Sequence, residues 1–455
     1  MMKRTLTALA FACVAMGLQA QTAPKNVIFF LGDGMGPAVV TAARIYKVGE
    51  AGTLTMDTLP RTARIRTYSK DAQTTDSAPS MAAYMTGVKM NNEVISMSAD
   101  TVAIAPGVDQ LNNCGTGNGT PVPTLLELAK AKGKAVGAVT TTRVTHATPA
   151  ATYAHICHRD AENDIAAQVV PGGVNYNTAL GSGLDVLLGG GRRQFVPKAV
   201  GGKRIDGRDL TAELVAGGYQ LVQTGTDLQA VNPAVTNRLV GLFHMDHMDF
   251  ELDRVNKALD QPSLAQMTTK AIDILSRNAN GYVLMVEGGR IDHALHNTNA
   301  KRALEDAAAF DQAIAAALAM VDLANTLVVV TADHDHTLAI NGYAKLGNPI
   351  LDIVRDYKTN APLLDADGKA YTALVFGNGP NRKDVRTDLV SGAADSTQVL
   401  HDDYLQESAV RTAAGSETHG GGDVKLFATG LGSDQFKGTL VNTTVFTLIR
   451  TLAGL

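Results

Sequence analysis

Runs of aliphatic and β-branched residues that stop abruptly at polar residues alternate along this chain with helix-like segments. Four such runs are predicted as strands: NVIFF at 26–30, AVGAVTTTR at 135–143, GYVLMV at 281–286 and TLVVVT at 326–331. Segments between them, such as 122–133 and 301–321, have the apolar spacing of amphipathic helices. Strands that alternate with helices predict a doubly wound α/β fold, with a mostly parallel central sheet flanked by helices.

The ends of these four runs carry side chains that bind metal ions. They lead to Asp33, His146, Glu287, and the adjacent pair Asp333 and His334. In sheets of this kind, ligands bind beyond the carboxyl ends of the strands. One such acid could be a turn residue, but four strand ends of this chemistry favour a metal centre. GDGMGP at 32–37 could also suggest a nucleotide loop, but it lacks the Gly-x-Gly-x-x-Gly spacing.

The first twenty residues have the parts of a secretory signal peptide. MMKR precedes an apolar run from Leu6 to Leu18, and the small residue Ala20 precedes the expected cut. We therefore expect residues 1–20 to be removed and 21–455 to form one domain that is periplasmic or secreted. A lipoprotein cut before Cys13 is less favoured, because LAFAC lacks leucine three residues before the cysteine.

The composition of the chain of 455 residues is that of a globular protein with ample core, since 45% of the residues are apolar. Its net charge of −4 and the lack of a basic run argue against a nucleic-acid-binding role. No stretch after the N-terminus reaches the roughly 18 apolar residues that a membrane span needs. We therefore expect no membrane association.

Two regional features remain open from the sequence. Cys114 and Cys157 could form one disulfide in an oxidising compartment. From about 342 to 412 the alternation of strands and helices weakens, and clusters of Gly, Asn, Pro and Asp appear. This region is predicted to be an insertion into the main fold rather than a separate domain.

Three motifs supply candidate metal ligands. In VEGGRIDHALH (286–296), Asp292 and His296 are four apart, so a helix would place both on one face. His293 points about a quarter-turn away from Asp292 and is expected to lie outside the ligand set. TADHDH adds Asp333 and His334, and ETHGGGD (417–423) places His419 beside three glycines that permit close backbone approach.

Ligand chemistry sorts these residues into three sets. Mixed carboxylate and imidazole sets suit zinc, whereas all-oxygen sets suit magnesium. The first predicted zinc set is Asp292, His296 and His419, and the second is Asp33, Asp333 and His334. The predicted magnesium set is Asp33, Glu287 and the hydroxyl of Thr148. The segment that supplies Thr148 also contains Arg159, whose planar guanidinium matches two phosphate oxygens.

TTDSAPSMAAYMTG (74–87) contains a candidate nucleophile, Ser77. It follows Asp76 at the start of a predicted helix that ends at Gly87. Free backbone N–H groups at that position suit an anion. No histidine lies near Ser77 in the sequence to remove its proton.

Taken together, the motifs resemble the alkaline phosphatase family from about residue 25 to the C-terminus. The family's nucleophile motif matches Asp76-Ser77-Ala78, and its phosphate-clamping arginine matches Arg159. Its metal ligands match Asp33, Thr148, Glu287, Asp292, His296, Asp333, His334 and His419. VTTTRVTHATPAATYAH and LGGGRRQF look more like the animal-type branch, as do the histidines at 146 and 293.

The resemblance implies an activity and its cofactors. It implies hydrolysis of small phosphate monoesters through a phosphoserine, with two zinc ions and one magnesium ion, an alkaline pH optimum and a homodimer. A metal bound to the Ser77 hydroxyl would replace the missing base. His146 is expected to orient waters around magnesium. Some animal-type members bind calcium through a glutamate after a Leu-Phe pair, where this chain has His244, so no calcium site is expected.

Departures from the family pattern leave other functions open. Ser77-Ala78-Pro79-Ser80 nearly matches the Ser/Cys-x-Pro-Ser-Arg motif of sulfatases, but Met81 replaces the arginine. A phosphodiesterase on the same scaffold is a further alternative, because loops set substrate size. A non-enzymatic periplasmic zinc-binding protein is the third, although it would need neither Ser77 nor Arg159.

Overall fold

Strands and helices alternate along the residues that the computed structural model describes, which are 23–108, 110–413 and 415–455. The predicted signal peptide, residues 1–20, and Cys13 lie outside these ranges. The strands are β1 (Asn26–Gly32), β2 (Arg61–Arg66), β3 (Ala135–Arg143), β4 (Val186–Gly190), β5 (Gln220–Val222), β6 (Leu239–Leu242), β7 (Tyr282–Gly288), β8 (Thr326–Ala332), β9 (Asp335–His336), β10 (Leu338–Ile340), β11 (Leu374–Gly379), β12 (Ser408–Arg411), β13 (His419–Gly420), β14 (Val424–Gly430) and β15 (Gly438–Val441). The α-helices are α1 (Pro37–Val48), α2 (Ser77–Thr86), α3 (Leu125–Ala131), α4 (Ala147–Ala150), α5 (Glu162–Ala167), α6 (Leu210–Ala216), α7 (Gly225–Ala230), α8 (Glu251–Asn256), α9 (Leu264–Leu275), α10 (Arg290–His296), α11 (Ala300–Met320) and α12 (Asn442–Ala453).

Ten of these strands form the central sheet, in the order β15-β2-β14-β8-β1-β7-β3-β4-β6-β5. Every pairing from β8 to β5 is parallel, and only β14 runs antiparallel to both of its neighbours. Helices α9, α11 and α12 pack against the central strands. The predicted doubly wound, mostly parallel α/β fold is therefore confirmed.

Strand register at the centre of the sheet positions two acidic residues side by side. The central strands are apolar and fully buried, as parallel strands covered on both faces are. Gly32 at the end of β1 pairs with Gly288 of β7 on one side and with Ala332 of β8 on the other. Asp33 and Asp333 are the next residues of their strands, so the two carboxylates emerge next to each other at the carboxyl edge.

The predicted helix at 122–133 is shorter than expected and begins at Leu125. Thr124 ends the preceding segment because its hydroxyl accepts the Glu127 N–H at 3.3 Å, while the Glu127 carboxylate accepts the Thr124 N–H at 2.7 Å. This reciprocal pair is a capping box, which fixes the first turn. The predicted helix at 301–321 corresponds to α11. Among the described residues, no helix is both long and apolar enough to cross a membrane.

The region from 338 to 411 contributes a separate three-stranded sheet, in the order β10-β11-β12. Two of its strands, β11 and β12, fall within the predicted insertion at about 342–412. A further pair, β9 and β13, joins His336 to His419 in antiparallel register. These short strands return the chain to the carboxyl edge of the central sheet.

The disulfide that the sequence left open is present, and it joins Cys114 to Cys157. The two cysteines are 43 residues apart. Closing a loop of that length removes chain entropy from the unfolded state, which stabilises the fold by about 4 kcal/mol. The bridge also ties the segment that carries Arg159 to the loop before α3.

Candidate metal centre

The first predicted ligand set, Asp292, His296 and His419, converges beside α10. Asp292 and His296 lie one turn apart on this helix, and His419 comes from β13. His296 Nε2 is 3.1 Å from His419 Nε2, and Asp292 Oδ1 lies 3.3 Å and 3.5 Å from these two nitrogens. Ligand atoms around tetrahedral zinc, with bonds of about 2.0 Å, lie about 3.3 Å apart. The three atoms therefore have the spacing of a zinc site.

Main-chain carbonyls set the tautomers of these two histidines. His296 Nδ1 donates to the Glu417 carbonyl at 2.6 Å, and His419 Nδ1 donates to the Thr75 carbonyl at 2.8 Å. A carbonyl oxygen can only accept, so Nδ1 carries the proton and the Nε2 lone pair is free in each neutral ring. Both lone pairs face Asp292, as hydrogen bonds to the far nitrogen arrange them in metal sites.

The second predicted set, Asp33, Asp333 and His334, is fully buried at the ends of β1 and β8. His334 Nε2 lies 3.3 Å from Asp33 Oδ1 and 3.3 Å from Asp333 Oδ2. His334 Nδ1 donates to the Asp335 carbonyl at 3.2 Å, which leaves the Nε2 lone pair facing both carboxylates. Three mutually facing acceptors fit a bound cation.

The third predicted set, Asp33, Glu287 and Thr148, supplies oxygen atoms. Thr140 and Thr142 donate hydrogen bonds to Glu287 Oε2, the latter at 3.2 Å. Four buried oxygens of the second and third ligand sets are among those without a hydrogen-bond partner in the described part of the chain: Asp33 Oδ2, Thr148 Oγ1, Glu287 Oε1 and Asp333 Oδ2. Buried polar atoms are almost always partnered, so these orphans also fit cations. His146 offers a nitrogen within 4.8 Å of the Asp33 and Glu287 carboxylates.

Burial and mutual repulsion raise the pKa values of three carboxyl groups in the second and third ligand sets. Burial raises the pKa of Asp33 well above its ordinary value, and the neighbouring Asp333 carboxylate adds to the rise. Burial likewise raises the pKa of Asp333, and it raises the pKa of Glu287 to about 7. A divalent cation among these groups would offset the repulsion and hold them ionised. The donor chemistry of these sets therefore fits bound metal cations.

Ser77 is the first residue of α2 and faces the second ligand set. Asp76 caps this helix, since its Oδ1 accepts the Ala78 N–H at 2.7 Å. Ser77 Oγ lies 3.3 Å from His334 Nε2 and 3.5 Å from Asp33 Oδ1. The serine hydroxyl thus borders the place where two ligand side chains converge.

Arg159 lies beside the capping aspartate of α2. Its Nη1 donates to Asp76 Oδ1 at 3.1 Å, and its Nη2 donates to His146 Nε2 at 2.9 Å. Burial lowers the pKa of Arg159, but the Asp76 and Glu93 carboxylates outweigh burial and raise it, so the guanidinium stays charged. Its other N–H groups and the Ser77 N–H can bind an anion at the start of α2, where Asp76 already accepts the Ala78 N–H and Pro79 has no N–H.

Two residues that the sequence interpretation did not single out, His336 and Glu417, brace the first ligand set. Glu417 Oε2 accepts from His336 Nδ1 at 2.5 Å, and His336 Nε2 contacts Asp292 Oδ1 at 2.8 Å. Burial lowers the pKa of His336, but hydrogen bonds to Asp292 and Glu417 outweigh burial and raise it to about 10. Both residues stand inside the TADHDH and ETHGGGD motifs, which is the signal that could have found them.

A third unassigned residue, His247, joins His146 and His293 in a group that we call the histidine triad. The ring centroids lie 4.2 Å to 5.2 Å apart. Each ring accepts an arginine N–H: His146 from Arg159, His293 from Arg290 and His247 from Arg143. Burial lowers the pKa of all three histidines, so the rings are neutral acceptors that orient guanidinium groups. His247 lies in a loop after β6, where no spacing pattern points to it.

Comparison with protein-family models identifies one family over nearly the whole chain. The model described as alkaline phosphatase matches residues 24–455. Among curated relatives, the tissue-nonspecific alkaline phosphatase of Mus musculus is 40% identical over 438 residues, which cover 89% of this chain and 79% of the relative. An alkaline phosphatase of Gadus morhua is 40% identical over 450 residues, or 91% of this chain and 89% of the relative.

Comparison with solved structures leads to the same group of proteins. The Thermus thermophilus alkaline phosphatase superimposes with a TM-score of 0.72 at 27% identity. The match covers 98% of this chain and 96% of that one. Sequence and fold similarity therefore extend across the whole described chain rather than over one motif.

Proposed function

Because this chain belongs to the alkaline phosphatase family, we propose that it hydrolyses phosphate monoesters through a phosphoserine on Ser77, with two zinc ions and one magnesium ion as cofactors. One observation carries the finer part of this proposal. Ser77 Oγ lies within 3.5 Å of two ligand atoms, His334 Nε2 and Asp33 Oδ1, that face each other without a donor between them.

The residues divide between the three ions by their donor atoms. One zinc ion would be held by Asp292, His296 and His419, the other by Asp33, Asp333 and His334, and magnesium by Asp33, Glu287 and Thr148. Bound zinc would lower the pKa of the serine hydroxyl and offset charge on the phosphoryl oxygens, while magnesium would hold ordered water nearby.

The protein's own groups then account for the two chemical steps. Ser77 Oγ attacks phosphorus, and the Oγ–P bond forms as the P–O bond of the ester breaks. The serine hydroxyl gives up its proton, and the departing ester oxygen gains one and leaves as the alcohol. Water cleaves the phosphoserine in the second step and releases inorganic phosphate. Arg159 and the N-terminus of α2 bind phosphoryl oxygens in both steps, where their donors stabilise developing negative charge.

A series of three substrates tests the assignment against its enzymatic rivals. We expect p-nitrophenyl phosphate to be hydrolysed at least about 10³-fold faster than bis-p-nitrophenyl phosphate or p-nitrophenyl sulfate, because binding differences of several kcal/mol separate the transition states. A preference for the diester would identify a phosphodiesterase, and a preference for the sulfate would identify a sulfatase. Turnover of none of them by metal-loaded protein would favour a zinc-binding protein.

His336→Ala is predicted to weaken the first zinc site without removing a ligand. The change leaves Asp292 without the donor that orients it, and such outer hydrogen bonds are worth about 10–100-fold in metal affinity. Zinc titration of the metal-free protein should show one site weakened by that factor, with activity recovered at higher zinc. His401→Ala, at a partly exposed position distant in sequence, is the control. Unchanged zinc affinity in His336→Ala would contradict the bracing role.

The family and the N-terminal sequence also support a proposal about location and assembly. We propose that residues 1–20 direct export, that the mature protein is periplasmic or secreted, and that it forms a homodimer. The basic and apolar segments of the N-terminus support the first part. Family membership supports the dimer.

A further inference from the structure

Glu93 has a backbone conformation that residues with a side chain rarely adopt. Its φ angle is 72°, in the left-handed region, where Cβ crowds the following carbonyl oxygen. Such conformations persist only where surrounding contacts enforce them, and they cluster at functional sites. The contacts that Glu93 makes therefore indicate which function its left-handed backbone conformation serves.

The main chain of Glu93 joins the capping aspartate of α2 to the arginine segment. Its N–H donates to Asp76 Oδ2 at 2.5 Å, and its carbonyl accepts the Arg159 N–H at 2.8 Å. Two residues further on, Ile95 and Ile156 exchange two main-chain hydrogen bonds, each of 3.0 Å. Main-chain hydrogen bonds thus connect the loop at residues 93–95 directly to the segment that carries Arg159.

These bonds close a ring that contains the guanidinium. Asp76 Oδ1 accepts from the Ala78 N–H and from Arg159 Nη1, while Asp76 Oδ2 accepts from the Glu93 N–H. The left-handed turn lets the N–H and the carbonyl of one residue serve both partners. Displacement of Glu93 would therefore move the Asp76 carboxylate and the Arg159 backbone together.

We infer that Glu93 is a positioning residue, whose left-handed main chain aims the Arg159 guanidinium at the substrate phosphoryl group. This inference rests on the phosphate-binding role proposed for Arg159. The Glu93 carboxylate adds a favourable charge near Arg159 but does not aim it, since the side chain is 40% exposed, its carboxylate lies 4.0 Å from His158 Nε2, and arginine stays protonated without it. The role belongs to the backbone and depends on which residues tolerate a positive φ.

That distinction can be tested by three substitutions at one position. Glu93→Ala and Glu93→Gly can keep the left-handed turn, whereas the β-branched side chain of Glu93→Val strongly disfavours it. We expect Glu93→Val to raise the inhibition constant for inorganic phosphate and the KM for p-nitrophenyl phosphate by about 10–100-fold, because loss of one hydrogen bond between charged groups weakens binding by roughly that factor. The alanine and glycine variants should stay within about threefold of the parent. We also expect kcat to change less than KM in the valine variant.

Ala258→Val is the matched control for backbone strain alone. Ala258 also has a positive φ, 49°, but it is exposed and follows α8. Its valine variant should lower the melting temperature while leaving the phosphate inhibition constant within about threefold. Glu93→Ser and Glu93→Thr repeat the comparison with polar side chains if the valine variant does not fold.

Two outcomes would overturn the inference. An unchanged phosphate inhibition constant in the β-branched variants would show that the turn does not aim Arg159. An equal rise in the alanine, glycine and valine variants would place the role in the carboxylate. The Arg159→Ala variant distinguishes failure of the Glu93 inference from failure of the proposed function. If Arg159→Ala leaves the phosphate inhibition constant unchanged, the phosphate-binding role proposed for Arg159 is itself wrong.

Discussion

Ser77→Ala is expected to abolish formation of a covalent phosphoenzyme and to lower kcat by roughly 10³-fold or more, since loss of a nucleophile can cost up to about 10⁶-fold. The physical reason is local. Ser77 Oγ is the hydroxyl that borders the Asp33, Asp333 and His334 set, and alanine leaves nothing there to form the bond to phosphorus. Acid quenching during turnover, followed by peptide mass spectrometry, measures the intermediate directly.

Thr86→Ala is the matched control for the serine variant. Thr86 is a buried hydroxyl residue on the same helix, and it donates to the Ala82 carbonyl at 2.7 Å, away from the ligand sets. Its loss should affect stability while phosphoenzyme still forms. Phosphate attached to any peptide other than the one with residue 77, in the parent protein, would contradict the assignment of the nucleophile.

Removal of zinc should have a comparable effect on turnover. Lewis-acid stabilisation of several kcal/mol corresponds to a loss of roughly 10³-fold in rate. Dialysis against a chelator should abolish hydrolysis of p-nitrophenyl phosphate, and zinc should restore it, whereas magnesium alone should not. The melting temperature should also fall, because an ion that binds the folded chain and not the unfolded chain stabilises the folded state.

The matching structural readout separates loss of metal from loss of fold. Circular dichroism of the chelated protein should retain helix and strand content at low temperature, since the core strands pack independently of the ligand sets. Undiminished turnover by protein whose zinc content has been measured as negligible would refute the catalytic role of zinc. If magnesium alone restored turnover, the assignment of zinc to the two imidazole-containing sets would be wrong.

Much of the fold could be predicted because local pattern determines it. The buried runs at 26–30 and 326–331 read as parallel strands, and Asp33 and Asp333 follow them directly. The α10 pair, Asp292 and His296, was likewise predictable from four-residue spacing. The start of α3 was misplaced because the Thr124 hydroxyl caps the helix later than its apolar pattern begins.

Contacts between distant segments could not be predicted in the same way. The Glu417–His336 hydrogen bond joins residues 81 positions apart, and its existence depends on the β9–β13 pairing. His247 reaches the histidine triad through a loop whose length and path carry no periodic signal. The left-handed backbone turn at Glu93 could not be predicted either, because a glutamate in the sequence does not indicate a positive φ as a glycine does.

Metal content per chain tests the central claim most directly. Protein equilibrated with zinc and magnesium, freed of unbound ions and analysed by inductively coupled plasma mass spectrometry, should contain two zinc ions and one magnesium ion per chain. His419→Ala should lose one zinc and keep the other, because the two zinc sets share no ligand. Fully active protein with one zinc or none, or a His419→Ala variant with unchanged zinc, would contradict the account.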